Sequence, residues 1–119
     1  AGGGANYGSQ YVQGQAAVAS SAEASGAAYV LCGQTSGNTA TAGYFSVHDI
    51  LIPDYASANK NKQILIANYN VSAFAAGNRR VRLLGTDWRT LAAVNQLTFT
   101  ATSGSNLAQY TRVTIYGLG

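Results

Sequence analysis

Apolar and polar residues alternate along most of this chain in short segments, which clusters of Gly, Asn and Ser separate. A period of two is typical of a β-strand with one buried face, because successive side chains of a strand point to opposite sides of a sheet. No long run has the 3.6-residue period of an amphipathic helix. The alternation predicts seven strands, at residues 9–14, 27–33, 44–52, 63–69, 80–85, 95–102 and 111–117.

Seven short strands in 119 residues predict one all-β domain spanning residues 1–119, because this length supports a single core. We expect a jelly-roll-like β-sandwich of about seven antiparallel strands with little helix. The Ala-rich stretch 15–28 is interpreted as strand ends around a loop, and 89–95 as at most one helical turn with Asp87 as its N-cap. Residues 1–8 are interpreted as a flexible lead-in, and turns are predicted at 36–38, 57–61, 76–78 and 103–106.

The predicted strand around residue 81 has two chemically different faces. Arg80 and Arg82 share one phase of the alternation, and Val81 and Leu83 share the other. The cations and the aliphatic side chains must therefore point to opposite sides of the sheet. One face of such a strand packs against the core, and the other meets water or a neighbouring molecule.

The predicted strand 44–52 changes phase along its length. Phe45 and Val47 share one phase, whereas Ile50 and Ile52 share the other. A β-bulge at residues 48–49 would produce this switch. A central strand with both faces covered explains it equally well.

The low charge of the chain indicates a partner surface. Charged residues make up 9% of the sequence, compared with about 25% in a typical soluble domain, and the net charge is +3. A surface made of Ser, Thr, Asn, Gln, Ala, Gly and Tyr packs against other protein more readily than a charged one does. We therefore expect a homo-oligomer. Seven cations are too few for a general nucleic-acid-binding protein, and no apolar run approaches the ~18 residues of a membrane-spanning helix.

The residues that could support catalysis or metal binding are few and badly placed. His48 is the single histidine, and its neighbour Asp49 points to the opposite face of a strand. Cys32 is the single cysteine and is interpreted as a small buried apolar residue. Asp49 and Asp54 could form a carboxylate pair, but Asp54 is better explained as an Asx turn at a strand end. We therefore expect no enzymatic activity, no metal and no cofactor.

Arginine and tyrosine provide the candidate binding residues. For the basic segment containing Arg80 and Arg82, salt bridges to a neighbouring subunit are favoured, a solvated face comes second, and contact with phosphate or lipopolysaccharide comes third. Eight tyrosines suit a contact surface that is partly apolar and partly wet. Trp88 is expected to anchor the core or a corner. The interface candidates are Arg80, Arg82, Arg112, Tyr44, Tyr55, Tyr69, Tyr110, Tyr116 and Trp88.

Three segments resemble a domain found at the C-terminal ends of virion proteins of tailed bacteriophages, including tail fibres. Residues 44–62 read YFSVHDILIPDYASANKNK, and residues 87–119 read DWRTLAAVNQLTFTATSGSNLAQYTRVTIYGLG. Residues 4–7 read GANY, a segment that normally lies inside that domain. The resemblance implies a jelly-roll-like β-sandwich that assembles into oligomers, which we expect to be trimers.

The resemblance also implies a function on the phage particle. We expect a non-catalytic structural protein of the virion, in a tail fibre, a tail-associated position or a capsid-decorating position, in contact with other virion proteins. The alternative is a carbohydrate-binding module that recognises a host surface glycan at a fibre tip, and a hydrolase using Asp49 and Asp54 ranks third. One or two further strands are expected before Gly4 in such domains. They would lie upstream or be supplied by a neighbouring subunit.

Overall fold

The computed structural model describes residues 6–37, 40–102 and 106–117. In these residues the protein contains five β-strands and no helix, which confirms the predicted all-β class. Within the same residues, accordingly, no helix has the length and apolar character needed to cross a bilayer. The strands are β1 (Tyr7–Gln15), β2 (Val18–Ala27), β3 (Ser46–Leu51), β4 (Lys62–Val71) and β5 (Arg79–Trp88).

The five strands form one antiparallel sheet in the order β2-β1-β5-β4-β3. Strands β1 and β2 form a hairpin, whose tight turn holds Ala16 at a φ of 54°. The last strand, β5, lies at the centre, where it pairs with β1 on one side and β4 on the other over its full length. The middle of the sheet therefore depends on contacts between residues that are distant in sequence.

Four of the predicted strands are found in the sheet. Segments 9–14, 63–69 and 80–85 lie within β1, β4 and β5, and segment 44–52 contains β3. The Ala-rich stretch, predicted as strand ends around a loop, instead contains β2, an exposed edge strand that pairs with β1 along its whole length. Backbone pairing with β1 outweighs the weak strand propensity of Ala and Ser there.

Three other predicted strands are absent from the described structure. Residues 28–33 leave the sheet after β2, and residues 95–102 and 111–117 form no ladder. The segment 89–95 contains no helical turn, and Asp87 lies inside β5 instead of capping a helix. Residues 6–37, 40–102 and 106–117 thus contain a single five-stranded sheet and no second layer of strands.

Some predicted segments fall partly outside the described residues. Residues 1–5 of the expected lead-in lie outside them, whereas Tyr7 and Gly8 already belong to β1. Asn38 of one predicted turn and residues 103–105 of another also lie outside the described residues.

Both explanations offered for the phase change in segment 44–52 are wrong. Pairing of β3 with β4 runs without a register shift from Ser46 to Leu51, so no bulge is present. Strand β3 is also an edge strand and not a central one. The apolar residues change face because Ile50 packs against the core, whereas Val47 points outward on the uncovered side of the sheet.

The core lies on one side of the sheet, which we call the inner face. Ile66 and Leu84, neighbours across β4 and β5, have no exposed surface, and Ile64 is also buried. Residues 28–36, the covering segment, cross this face, and its Val30, Leu31 and Cys32 pack against the three buried residues. Burying an aliphatic side chain of this size contributes about 1.5–3 kcal/mol to folding.

Asn68 fastens the covering segment to the sheet through two backbone hydrogen bonds. Its Oδ1 accepts the N–H of Gln34 at 2.9 Å, and its Nδ2 donates to the Gln34 carbonyl at 3.1 Å. His48 donates from Nδ1 to the Cys32 carbonyl at 2.8 Å. Nearby, Ser46 Oγ accepts the N–H of Ser36 at 2.6 Å. A loop without strand pairing thus has its backbone groups satisfied by side chains.

Gly33 tests how closely the covering segment must approach the sheet. Its φ is +105°, and a Cβ built there would lie 2.6 Å from Cγ of Asn68. Gly43 has a similar φ of +88° but open space around it. We expect Gly33→Ala to lower the free energy of unfolding by about 3 kcal/mol, and Gly43→Ala by about 1 kcal/mol, in urea unfolding. Equal losses would show that the contact with Asn68 does not constrain the segment.

Candidate interaction surface

The register of β5 places Arg80, Arg82 and Leu84 on the inner face and Val81 and Leu83 on the outer face. Arg82 is only 9% exposed, whereas Val81 and Leu83 are 57% and 50% exposed. Arg80 is partly buried on the same side as Arg82, as the alternation predicts. The side of the strand that packs against the rest of the chain therefore carries Arg80 and Arg82 beside the core residue Leu84.

Neutral amides surround the two arginines on the inner face. Arg82 donates from Nε to Gln13 Oε1 at 2.6 Å, and its guanidinium carbon lies 4.7 Å from the centroid of the Tyr11 ring. Arg80 donates to Gln15 and Gln34 through its two terminal nitrogens. Gln13 and Gln15 are the direct cross-strand neighbours of Arg82 and Arg80 on β1. The sequence pattern gave no reason to single out these glutamines before the strands were paired.

Burial makes the charge on Arg82 less favourable. Loss of solvent lowers the pKa of Arg82, the positive charge of Arg80 lowers it further, and the Tyr11 side chain opposes the shift. A guanidinium remains protonated despite such a shift. The consequence is a standing electrostatic cost on this face, which a nearby negative charge would relieve.

The outer face of the sheet is an apolar surface that no part of the described structure covers. It contains seven large apolar side chains that are between 45% and 57% exposed, and we call this set the exposed apolar face. Its members come from β1, β3, β4 and β5. They are Val12, Val47, Leu51, Leu65, Tyr69, Val81 and Leu83.

The strand pairing makes these residues contiguous. Val47, Tyr69 and Val81 form one row across β3, β4 and β5, and Leu51 is paired with Leu65 in another. Small side chains create a shallow apolar groove in the same face. Its lining consists of Val12, Gly14, Ala19, Ala67, Val81 and Leu83, together with Gln13 and Arg82.

The C-terminal part of the chain carries further exposed apolar side chains. Leu97 and Phe99 lie in segment 95–102, and Val113 and Ile115 lie in segment 111–117. All four side chains are exposed. Contacts with the rest of the chain include the N–H of Val94, which donates to the Tyr55 carbonyl at 2.8 Å. Residues 95–102 and 111–117 thus keep the sequence pattern of half-buried strands although they belong to no sheet.

The tyrosine candidates lie on several parts of the chain. Tyr69 belongs to the exposed apolar face, and Tyr55 follows β3 and is exposed. Tyr110 and Tyr116 are 90% and 81% exposed in the C-terminal part. Tyr44, by contrast, is partly buried just before β3, and Arg112 is exposed near Tyr110 in sequence.

Trp88 lies at the end of β5 and contacts another aromatic ring. It stacks with Tyr7, its cross-strand neighbour, at a centroid distance of 6.3 Å and an interplanar angle of 16°. One face of the indole is therefore turned toward β1. This arrangement joins the two strands at the end of the sheet opposite the arginines.

The residues that the sequence offered for chemistry lie in three different surroundings. Cys32 packs against the core, and burial raises the pKa of its thiol above the ordinary value. Asp49 lies exposed on the outer side of β3, beside the exposed apolar face. Asp54 lies in the turn after β3, where its Oδ2 accepts a hydrogen bond from Lys60 Nζ at 2.8 Å.

The sequence pattern contained a sign of the exposed apolar face. Ile64, Leu65 and Ile66 are consecutive apolar residues in β4, so both faces of that strand are apolar. Such a run is typical of a strand covered on both sides. In this structure the outward residue of the run, Leu65, is 49% exposed, so no described residue covers this side of the strand.

The ion pair in the turn after β3 gives a testable dependence on pH. The hydrogen bond and charge of Lys60 lower the pKa of Asp54, so the pair stabilises the fold above the unfolded pKa of this carboxyl, and this contribution disappears as the pH falls through the folded pKa. We expect Lys60→Met to raise the pKa of Asp54, measured by NMR titration of its carboxyl carbon. Arg89→Gln, which removes a cation elsewhere, should leave it unchanged. An unchanged pKa in Lys60→Met would show that the pair does not form in solution.

Comparison with known proteins identifies no relative. No protein family, no curated protein and no solved structure matches this chain.

Proposed function

We propose that this chain is a non-catalytic structural protein of a bacteriophage virion, whose copies assemble through the exposed apolar face into a homo-oligomer, with a trimer as the expected state. Its position would be a tail fibre, a tail-associated site or a capsid-decorating site, in contact with other virion proteins. The phage assignment is supported by the resemblance of residues 44–62 and 87–119 to such proteins. The assembly is supported above all by the exposed apolar face.

The area of the exposed apolar face is large for a chain that stays alone. Its seven side chains expose roughly 600 Å², which is the upper end of the range for the largest apolar patch of a soluble monomer. Burying it would contribute on the order of 15 kcal/mol per copy. Association costs about 4–15 kcal/mol in lost freedom, so the burial of two such surfaces is sufficient to drive it.

The charge distribution also favours contact between identical copies. The outward residues in the middle of the sheet are uncharged, from Leu65 to Tyr69 in β4 and from Val81 to Gly85 in β5. Identical faces with charged centres would repel one another, whereas the centre of the exposed apolar face carries no charge. Asp49, at the β3 edge, would lie at the rim of such a contact, where a charge can remain hydrated.

The sandwich expected from the sequence would form in the assembled oligomer and not in the single chain. Residues 95–102 and 111–117 carry the alternation of strands but have no partner strand in the described structure. We propose that they pair in the oligomer and form the second layer of a jelly-roll-like sandwich. The expected further strands before Gly4 would then be supplied by a neighbouring subunit or by an upstream segment.

Replacement of Leu83 tests the assembly. A carboxylate at the centre of the exposed apolar face would have to be buried without a partner, so we expect Leu83→Glu to raise the dissociation constant roughly a hundredfold or more. Sedimentation velocity at micromolar concentration should show a trimer for the wild-type chain and a monomer for Leu83→Glu, with β-sheet circular dichroism retained. Asn59→Glu, on an exposed turn, should remain trimeric. A wild-type chain that stays monomeric at this concentration would refute the proposal.

Location on the phage particle tests the biological part of the proposal. We expect antibodies against the folded chain to label intact, purified phage particles at a fixed position in electron micrographs. Pre-absorption of the antibodies with the purified chain should abolish the label. Intact particles that contain none of the chain, by mass spectrometry and by labelling, would contradict a virion function.

A further inference from the structure

Arg80 and Arg82 place two positive charges side by side on the inner face of the sheet. Residues two apart in a strand are separated by about 7 Å and point the same way. The two guanidinium groups are oriented by Gln13, Gln15 and Gln34, which supply neutral oxygens and no negative charge. Two like charges at this spacing, one of them buried, are unfavourable unless a counter-charge is present.

None of the acidic side chains of the chain supplies that counter-charge. The sequence contains four, and all lie in the described part of the structure. Asp54 is bonded to Lys60, and Asp87 lies 3.4 Å from Arg89. Glu23 and Asp49 point to the outer side of the sheet, as the pairing of Glu23 with Gln10 and of Asp49 with Ala67 shows.

The arginines retain hydrogen-bonding capacity for an external group. Each guanidinium carries several N–H donors in a planar fork. Among the described residues, Arg82 donates to Gln13 through Nε, and Arg80 donates to glutamines through its terminal nitrogens. Nε of Arg80 is buried and has no hydrogen-bond partner within this part of the chain. A buried donor without a partner is rare and adds to the cost of holding the two cations on this face.

We propose that Arg80 and Arg82, held in place by Gln13, Gln15 and Gln34, form a binding site for a doubly charged tetrahedral oxyanion of the phosphate or sulfate class. Planar guanidinium forks bind such groups with paired, charge-assisted hydrogen bonds. A charge of −2 balances the two arginines, and the amide oxygens keep both forks oriented before the anion arrives. The site is independent of the exposed apolar face, which lies on the other side of the sheet.

Thermal unfolding with inorganic phosphate as the probe tests this site. At phosphate concentrations about ten times the dissociation constant, we expect the midpoint of the wild-type chain to rise by about 5 °C relative to sodium chloride of the same ionic strength. Arg80→Gln should abolish the rise, and Arg80→Lys should retain part of it. The matched control Arg89→Gln, at the opposite end of the sheet, should show the full rise.

Two further measurements complete the test. One compares free phosphate with a phosphate group on a sugar, and the other uses the wild-type chain alone, so that a misfolded variant cannot decide the result. Glucose 6-phosphate, compared with glucose, tests whether a phosphate group on a sugar binds more tightly than the free ion. Phosphorus NMR of the wild-type chain should show broadening of the phosphate signal that excess sulfate reverses. Absence of any phosphate-specific rise and broadening in the wild-type chain, or an undiminished rise in Arg80→Gln, would overturn the proposal. Sedimentation of the same samples reports assembly separately.

Discussion

The pairing of β5 between β1 and β4 is the constraint on which the rest of the structure depends. A strand at the centre of a sheet has two faces and a fixed register, so one residue of slip would exchange them completely. The observed register aligns Leu84 with Tyr11 on β1 and Ile66 on β4, which builds the core from the middle of three strands. The same register carries Arg80 and Arg82 to the inner side and leaves Val81 and Leu83 outside. The core, the arginine pair and the exposed apolar face are thus three results of one alignment.

This alignment produces an unusual distribution of polarity. The inner face is apolar at its centre, where Ile66 and Leu84 lie, and polar toward both ends. Asn68, Asn70 and Arg82 lie toward one end, and Lys62 and Thr86 lie toward the other. At the end that contains Asn68, amide and hydroxyl groups form hydrogen bonds with one another and with the backbone of the covering segment. Asn68, for example, bonds to both backbone groups of Gln34. The outer face has no such network, and its apolar side chains remain accessible. In the proposed assembly, neighbouring copies of the chain cover this open side of the sheet.

Local sequence patterns predicted the strands in which apolar and polar residues alternate clearly. Segments within β1, β4 and β5 could be located because each alternates and is bounded by turn residues. Strand β2 was missed because its Ala and Ser residues have little strand propensity, and only the hairpin with β1 makes it a strand. Residues 95–102 and 111–117 show the converse case, in which alternation is present but a partner strand is absent from the described structure. Among the candidate residues, the shared face of Arg80 and Arg82 followed from alternation, whereas their glutamine partners did not, because cross-strand neighbours depend on register.

The sequence by itself determined the all-β class, the approximate positions of four strands and the division of each strand into two chemically distinct faces, because these properties arise from the two-residue period of a single extended backbone. Only the tertiary structure decided which face is buried, which strands are neighbours and what meets each side chain, because these depend on pairing between residues that are far apart in the chain. Val81 and Arg82 illustrate the difference, since alternation separates the two side chains, but only the folded structure buries Arg82 and leaves Val81 57% exposed.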